Sequence, residues 1–155
     1  MEKIKRIALV AHDHRKKDLM EWVEWNWEEL VKHQLICTGT TGRLVEDALL
    51  KRIQESGGKH TLELTKFKSG PLGGDQQLGA LICNDGVDIL IFLWDPMEPQ
   101  PHDVDVKALL RIAALYNVVV ACSRATADFI ISSPLTDEHY TPVVVDYSSY
   151  INRKL

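Results

Sequence analysis

The 155-residue sequence contains no apolar segment close to the roughly 20 residues that a membrane-spanning helix needs. Its first apolar run, residues 7–11, follows basic residues but is shorter than the apolar centre of a secretory signal peptide, which takes about 7–15 residues. A buried strand explains this run better, so we expect a cytoplasmic protein. Positive charge is not in excess either, because the formal net charge is −4. This balance argues against general binding to nucleic acid, which usually needs a concentrated basic face.

Cysteine is scarce, and several familiar catalytic signatures are missing. The three cysteines, Cys37, Cys83 and Cys122, lie far apart in apolar surroundings and lack the spacing of metal ligands. We therefore expect buried free thiols. The sequence has no serine nucleophile elbow, no CxxC or HExxH motif and no P-loop lysine. Any chemistry must come from carboxylates, histidines, hydroxyls and backbone groups.

The order of apolar and amphipathic segments predicts the fold class. Short apolar runs typical of buried parallel strands occupy residues 7–11, 35–38, 88–94 and 118–122, and an alternating segment at 61–67 suits a strand nearer the edge. Amphipathic segments typical of helices occupy residues 15–33, 42–56, 75–85, 104–116 and 125–132. This alternation predicts an α/β protein: a three-layer αβα sandwich with a mainly parallel five-stranded sheet of Rossmann-like topology. With no internal repeat or linker, we expect residues 1–155 to form one domain.

Two tryptophans of the first predicted helix do not fit its apolar stripe. Leu19 and Val23 belong to that stripe, whereas Trp22 and Trp25 lie a quarter turn or more away from it. Exposed tryptophans are rare on monomers, so these two indicate a subunit interface. The alternative is that they lie under the C-terminal tail.

Polar residues follow four of the predicted strands, at the sheet edge where open α/β sheets bind ligands. The four segments are AHDHRK at 11–16, TGTTG at 38–42, SGPLGGDQ at 69–76 and WDPMEPQPHDVDVK at 94–107. The TGTTG and SGP segments each place hydroxyls, glycines and free backbone N–H groups at a strand end, which suits a phosphate. Lys16 could add a positive charge to the same site. The alternative is structural, with threonine capping a helix and glycine making a turn.

Carboxylates and histidines accompany these loops. The carboxylates are Asp13, Asp75 and Asp105, and the histidines are His12 and His102. Asp75 is unexpected, because it is an anion directly after an anion-binding loop. A carboxylate cluster could hold Mg²⁺, but the interleaved histidines favour acid–base work. The alternative for His102 is a surface histidine on a turn before a helix capped by Asp103. The set predicts proton abstraction next to the carbonyl of a small phosphorylated substrate.

Taken together, these segments closely resemble the methylglyoxal synthase family. The resemblance rests on IALVAHDHRKKD, CTGTTG, SGPLGGDQQLGALI, DILIFLWDP and PQPHDVDVKALLRIA, and it extends from about residue 7 to residue 133. It implies a carbon–oxygen lyase that converts dihydroxyacetone phosphate to methylglyoxal and inorganic phosphate without a metal or organic cofactor. It also implies a homohexamer that phosphate inhibits allosterically, acting in the methylglyoxal bypass of glycolysis.

The resemblance also implies a role for each matching residue. Asp75 is the expected catalytic aspartate and His102 the expected catalytic histidine that contacts the substrate, with Asp13 and Asp105 as supporting catalytic carboxylates. The residues expected to bind the substrate are His12, Lys16, Thr38, Gly39, Thr40, Thr41, Ser69 and Gly70.

The sequence departs from the family pattern in three places, and a second function class is open. About ten extra residues between Gly42 and Ser69 are expected to lengthen a helix and add a Gly57-Gly58 turn. Ser123 stands where asparagine is common, and Arg153 belongs to a divergent tail that could reach a neighbouring subunit's site. The alternative function is a stand-alone phosphate-sensing module, because the same fold occurs in regulatory domains.

Overall fold

The computed structural model describes residues 1–153 and has one five-stranded sheet in which every pair of neighbouring strands is parallel. The strands are β1 (Arg6–Ala11), β2 (Gln34–Thr38), β3 (Glu63–Phe67), β4 (Ile89–Leu93) and β5 (Val119–Ala121), in the spatial order β3-β2-β1-β4-β5. The helices are α1 (Lys16–Trp25), α2 (Trp27–Leu30), α3 (Gly39–Glu55), α4 (Gly74–Cys83), α5 (Asp103–Leu115), α6 (Arg124–Ile131) and α7 (Ser148–Ile151). Short 3₁₀ helices occupy Asp13–Arg15, Gly70–Leu72 and Pro134–Thr136.

This arrangement confirms the predicted α/β sandwich, with a sheet that is wholly rather than mainly parallel. Alternate residues of β1 face opposite layers, as the two-residue period of a strand requires. Ile7 and Leu9 pack with α1, α3 and α6, whereas Ala8 and Val10 pack with α4 and α5. Because both faces are covered, the central strands are apolar throughout. Among residues 1–153, the helices include none with the length and apolar character needed to cross a membrane.

The first helical segment differs from its prediction in two ways. The helix does not run continuously over 15–33, because α1 ends at Trp25 and the short α2 begins after Asn26. Trp22 is not exposed: only 1% of its surface is accessible, and its indole Nε1 donates a 2.8 Å hydrogen bond to Asp128 Oδ1 on α6. The hydrogen bond to Asp128 gives the indole N–H a partner in the protein. Trp22 can therefore be buried although it lies outside the apolar stripe of α1. Trp25 is exposed as predicted.

The expectation of three buried thiols is correct for only one cysteine. Cys37 lies inside β2, and burial raises the pKa of its thiol to about 12. Cys83 and Cys122 are exposed, because Cys83 is the last residue of α4 and Cys122 directly follows β5. Apolar neighbours in sequence do not bury a residue at the end of an element.

The extra residues after Gly42 have the predicted form. They extend α3 to 17 residues, and the chain then turns through Gly57 and Gly58, whose φ angles are +92° and +72°. Open space surrounds both glycines, so the turn is a surface feature remote from the sheet edge that carries the polar loops.

Candidate active site

The loops after β1, β2, β3 and β4 meet around one cavity of about 350 Å³ at the carboxyl edge of the sheet. Every residue that the sequence predicts for the site, except Asp105, lines this cavity. The lining comprises Val10, Ala11, His12, Asp13, Lys16, Thr38, Gly39, Thr40, Thr41, Ser69, Gly70, Pro71, Asp75, Phe92, Gln100 and His102.

The two predicted phosphate loops touch each other through their backbones. The Gly39 N–H donates a 3.1 Å hydrogen bond to the carbonyl of Lys68, just before Ser69. Gly39 has φ of +47°, and a Cβ added there would lie 2.7 Å from Ser69 Cβ. A side chain at Gly39 would therefore meet both backbone strain and a steric clash. Only glycine lets the loop after β2 close against the loop after β3.

The TGTTG segment opens α3 itself, because this helix begins at Gly39 and not at the predicted residue 42. The Thr38 side chain makes no capping hydrogen bond within the described residues, so capping does not explain this threonine. The first backbone N–H groups of α3 thus lie at the cavity. A helix N-terminus carries partial positive charge and free donors, both of which suit a phosphate.

Lys16 brings a full positive charge to the same place. It is the first residue of α1, and its Nζ contacts both Asp13 Oδ1 and Thr40 Oγ1. The hydrogen bond from Lys16 holds the pKa of Asp13 below its usual value. These contacts position the ammonium group over the start of α3, where an anion would also interact with the helix.

Asp75 lies on the other side of the loop after β3, in the first turn of α4. Its side chain is almost fully buried, and its Oδ2 is 3.6 Å from His102 Nε2. Burial raises the pKa of Asp75, and the negative charge of Asp105 raises it further. The positive charge of His102, when this residue is protonated, would lower the pKa of Asp75. A carboxylate in this state is a stronger base than an ordinary aspartate, because basicity follows pKa.

Gly70 leaves space for the side chains of Asp75 and His102. A Cβ added at Gly70 would lie 2.8 Å from His102 Nε2 and 2.9 Å from Asp75 Oδ2. Glycine therefore lets the backbone of the phosphate loop lie beside the acid–base pair. The anion loop and the carboxylate are neighbours in space as well as in sequence.

His12 offers a defined donor to the cavity. Its Nδ1 accepts a 3.1 Å hydrogen bond from the backbone N–H of Asp95, so in the neutral ring the proton belongs on Nε2. That Nε2 is buried and has no protein partner among residues 1–153. Burial, and secondarily the charge of His102 when protonated, lower the pKa of His12 and favour the neutral ring.

The structure assigns the cap of α5 to a different residue from the one predicted. His102 occupies the position before the first helical residue, and Asp103 is that first residue, so Asp103 is not the cap. The His102 side chain makes no capping hydrogen bond and lies at the cavity. The preceding loop positions this imidazole against Asp75.

Asp105 is the one predicted site residue outside the main cavity. It lines a separate space of about 200 Å³ between α4 and α5, which Asp75 also borders. Any influence of Asp105 on the main cavity would therefore pass through the Asp75 carboxylate, whose pKa it raises.

Gln100 is a cavity residue that the sequence patterns did not predict. It lies in the loop after β4, between Pro99 and Pro101, and it lines the cavity with His102. The signal was present in the PQPHDVDV segment, where two prolines fix the backbone around one neutral polar residue.

One group of side chains near the cavity has donor atoms close enough to share a metal ion. His14, Asp95 and Glu98 place one donor atom each within 4.8 Å of one another, and no other such group occurs in residues 1–153. His14 Nδ1 lies 2.7 Å from Glu98 Oε2, so these groups already pair directly. The cluster does not line the cavity, apart from the backbone contact of Asp95 with His12.

Comparison with known proteins gives consistent results. A family model described as the MGS-like domain matches residues 18–122. The methylglyoxal synthase of Maridesulfovibrio salexigens is 52% identical over 157 aligned residues that span 100% of both chains. The methylglyoxal synthase of Coxiella burnetii RSA 493 is 51% identical over 97% of both chains. The crystal structure of methylglyoxal synthase from Elizabethkingia anophelis NUHP1 superposes with a TM-score of 0.86 at 49% identity, covering 100% of this chain and 95% of that one.

The contact between the two phosphate loops gives a testable prediction. Gly39→Ala should weaken binding of inorganic phosphate at least tenfold by calorimetry, because the new Cβ would push the two loops apart. Gly58→Ala is the matched control, since it also has positive φ but nothing within 4 Å. Both substitutions add backbone strain of about 1–2 kcal/mol, and Gly39→Ala should lose more stability in urea because its Cβ also meets Ser69. Equal phosphate binding by the two variants would contradict the proposed loop contact.

Proposed function

Because the chain belongs to the methylglyoxal synthase family, we propose that it converts dihydroxyacetone phosphate to methylglyoxal and inorganic phosphate. The reaction is that of a carbon–oxygen lyase and would serve the methylglyoxal bypass of glycolysis. One observation supports this most directly: the buried Asp75–His102 pair lines the same cavity as two phosphate-type loops and Lys16.

In the first step, Asp75 takes a proton from the hydroxymethyl carbon of the substrate. Its raised pKa supports this role, because an ordinary aspartate with a pKa of about 3.9 is a weak base toward carbon. The electron pair of the C–H bond moves toward the carbonyl and gives an enediolate. Neutral His102 donates a hydrogen bond to the developing oxyanion, and His12, which lines the same cavity, would be a second donor through its Nε2–H.

In the second step, the enediolate expels phosphate. His102 helps to move a proton from the terminal hydroxyl to the central oxygen. Electrons from the terminal oxygen then form the aldehyde as the carbon–oxygen bond to phosphate breaks. The products are inorganic phosphate and an enol, which takes up a proton at its methylene carbon and loses its hydroxyl proton to become methylglyoxal.

The phosphate-type loops have two tasks in this scheme. The positive charge of Lys16, together with hydrogen bonds from the backbone N–H of Gly70 and from the hydroxyls of Thr38, Thr40, Thr41 and Ser69, would stabilise the phosphate as it leaves. The same contacts would hold its carbon–oxygen bond perpendicular to the enediolate plane, where elimination is fastest. An isomerase acting on this substrate would have to prevent that orientation.

Asp13 and Asp105 have supporting roles in this proposal. Asp13 fixes Lys16 through a direct contact, and Asp105 helps to raise the pKa of Asp75. Neither role requires contact with the reacting carbon.

We further propose that residues 1–155 act as one methylglyoxal synthase-like domain in the cytoplasm and assemble into a homohexamer. The family resemblance and the exposed side chains of Trp25 and Phe129, each more than four-fifths accessible, support an interface. Inorganic phosphate is expected to act as product and as allosteric inhibitor. Light scattering should give the mass of six chains, and a monomer mass would contradict the assembly.

One assay tests the activity. The purified chain should release methylglyoxal and inorganic phosphate from dihydroxyacetone phosphate in equal amounts, with no added metal and in the presence of a chelator. Methylglyoxal is measured by derivatisation and phosphate by a colorimetric assay. If the chain binds phosphate but yields no methylglyoxal, it is a phosphate-sensing module of the same fold and the proposal is wrong.

A further inference from the structure

Gln100 reaches the cavity from a different strand end than the phosphate-type loops. Those loops follow β2 and β3, whereas Gln100 follows β4. In the sheet, β1 lies between β2 and β4. Gln100 is two residues before His102 and lines the cavity with it. A substrate whose phosphate occupies those loops, and whose carbon chain extends along the sheet edge past β1, would reach Gln100.

The backbone around Gln100 is fixed in a way that directs its side chain. Pro99 and Pro101 on either side are exposed, whereas Gln100 is half-buried. The Gln100 carbonyl accepts a 3.1 Å hydrogen bond from the Asp103 N–H at the start of α5. A glutamine held between two prolines loses little backbone entropy when it binds a ligand, because the proline φ angles are already fixed.

Among residues 1–153, Gln100 supplies the one carboxamide in the cavity lining, on a loop separate from the hydroxyls of the phosphate-type loops. Asp75 is an acceptor when ionised, and Lys16 is only a donor. A neutral amide can donate and accept together, which matches a hydroxyl group that also does both. The structure records no side-chain hydrogen bond of Gln100 to another residue among 1–153, so the amide is available to a ligand.

We propose that Gln100 is a specificity-determining residue that binds the terminal hydroxyl of the substrate. This inference rests on the proposed function, because that function supplies a substrate with phosphate at one end and a hydroxyl at the other. The contact would hold the hydroxymethyl carbon beside Asp75. It would also favour dihydroxyacetone phosphate over phosphate esters that lack the hydroxyl.

The test compares three ligands that differ in one group at a time: dihydroxyacetone phosphate, hydroxyacetone phosphate, which lacks the terminal hydroxyl, and inorganic phosphate. Their dissociation constants are measured by calorimetry in the Asp75→Asn chain, where proton abstraction is blocked. In the parent chain, the order of affinities is checked from the KM of dihydroxyacetone phosphate and from the inhibition constants of hydroxyacetone phosphate and inorganic phosphate.

With Gln100 present, dihydroxyacetone phosphate should bind about two- to tenfold more tightly than hydroxyacetone phosphate, the range of one neutral hydrogen bond. Gln100→Ala should remove this preference and leave phosphate binding unchanged. A preference that survives in Gln100→Ala, or an equal weakening of all three ligands, would overturn the proposal. Gln34→Ala, an exposed glutamine at the start of β2, is the matched control and should change none of the three values.

The turnover assay and these dissociation constants test the proposed function and the role of Gln100 separately. If the parent chain makes no methylglyoxal, the proposed function is wrong, but the preference for the hydroxyl still reports whether Gln100 binds it. If the chain is active and Gln100→Ala keeps the preference, only the role of Gln100 is wrong.

Discussion

The burial of the Asp75 carboxylate is the constraint on which the candidate site depends. Removing a carboxylate from water is unfavourable unless nearby groups compensate. Here the start of α4 compensates in part, because its dipole favours an anion in the first turn, and His102 at 3.6 Å would add to this only when it is protonated. The compensation is incomplete, since the pKa of Asp75 remains raised. An incompletely stabilised carboxylate is suited to accept a proton.

Tight backbone packing maintains this arrangement. A Cβ at Gly74 would lie 2.0 Å from the carbonyl oxygen of Lys68, so α4 can begin beside the end of β3 only if residue 74 is glycine. Gly73, with φ of +95°, turns the chain between the short 3₁₀ helix and α4. The same loop contacts Gly39 at the start of α3. In the proposed mechanism, phosphate binding and proton abstraction would therefore use neighbouring parts of one short segment.

The sequence predicted the fold and most of the cavity lining, because both follow from strong local signals. Apolar runs located the strands, and polar residues after them met at one edge because parallel strands end there. Contacts between distant residues were less predictable. The hydrogen bond from Trp22 to Asp128 joins two helices far apart in sequence and could not be read from helical period alone. The placement of Asp105 behind Asp75, and not in the cavity, likewise depends on how α4 packs on α5. Gln100 was missed because a single amide in a proline-rich loop has no periodic signal. The roles of the cavity residues remain predictions.

The most direct measurement of the central claim is turnover by Asp75→Asn alongside its affinity for inorganic phosphate. Asparagine keeps the shape of the side chain but cannot accept a proton from carbon at neutral pH. If Asp75 is the base, methylglyoxal formation should fall by at least a thousandfold, while the phosphate dissociation constant stays within about threefold of that of the parent chain. Near-parental release of phosphate from dihydroxyacetone phosphate by this variant would contradict the account.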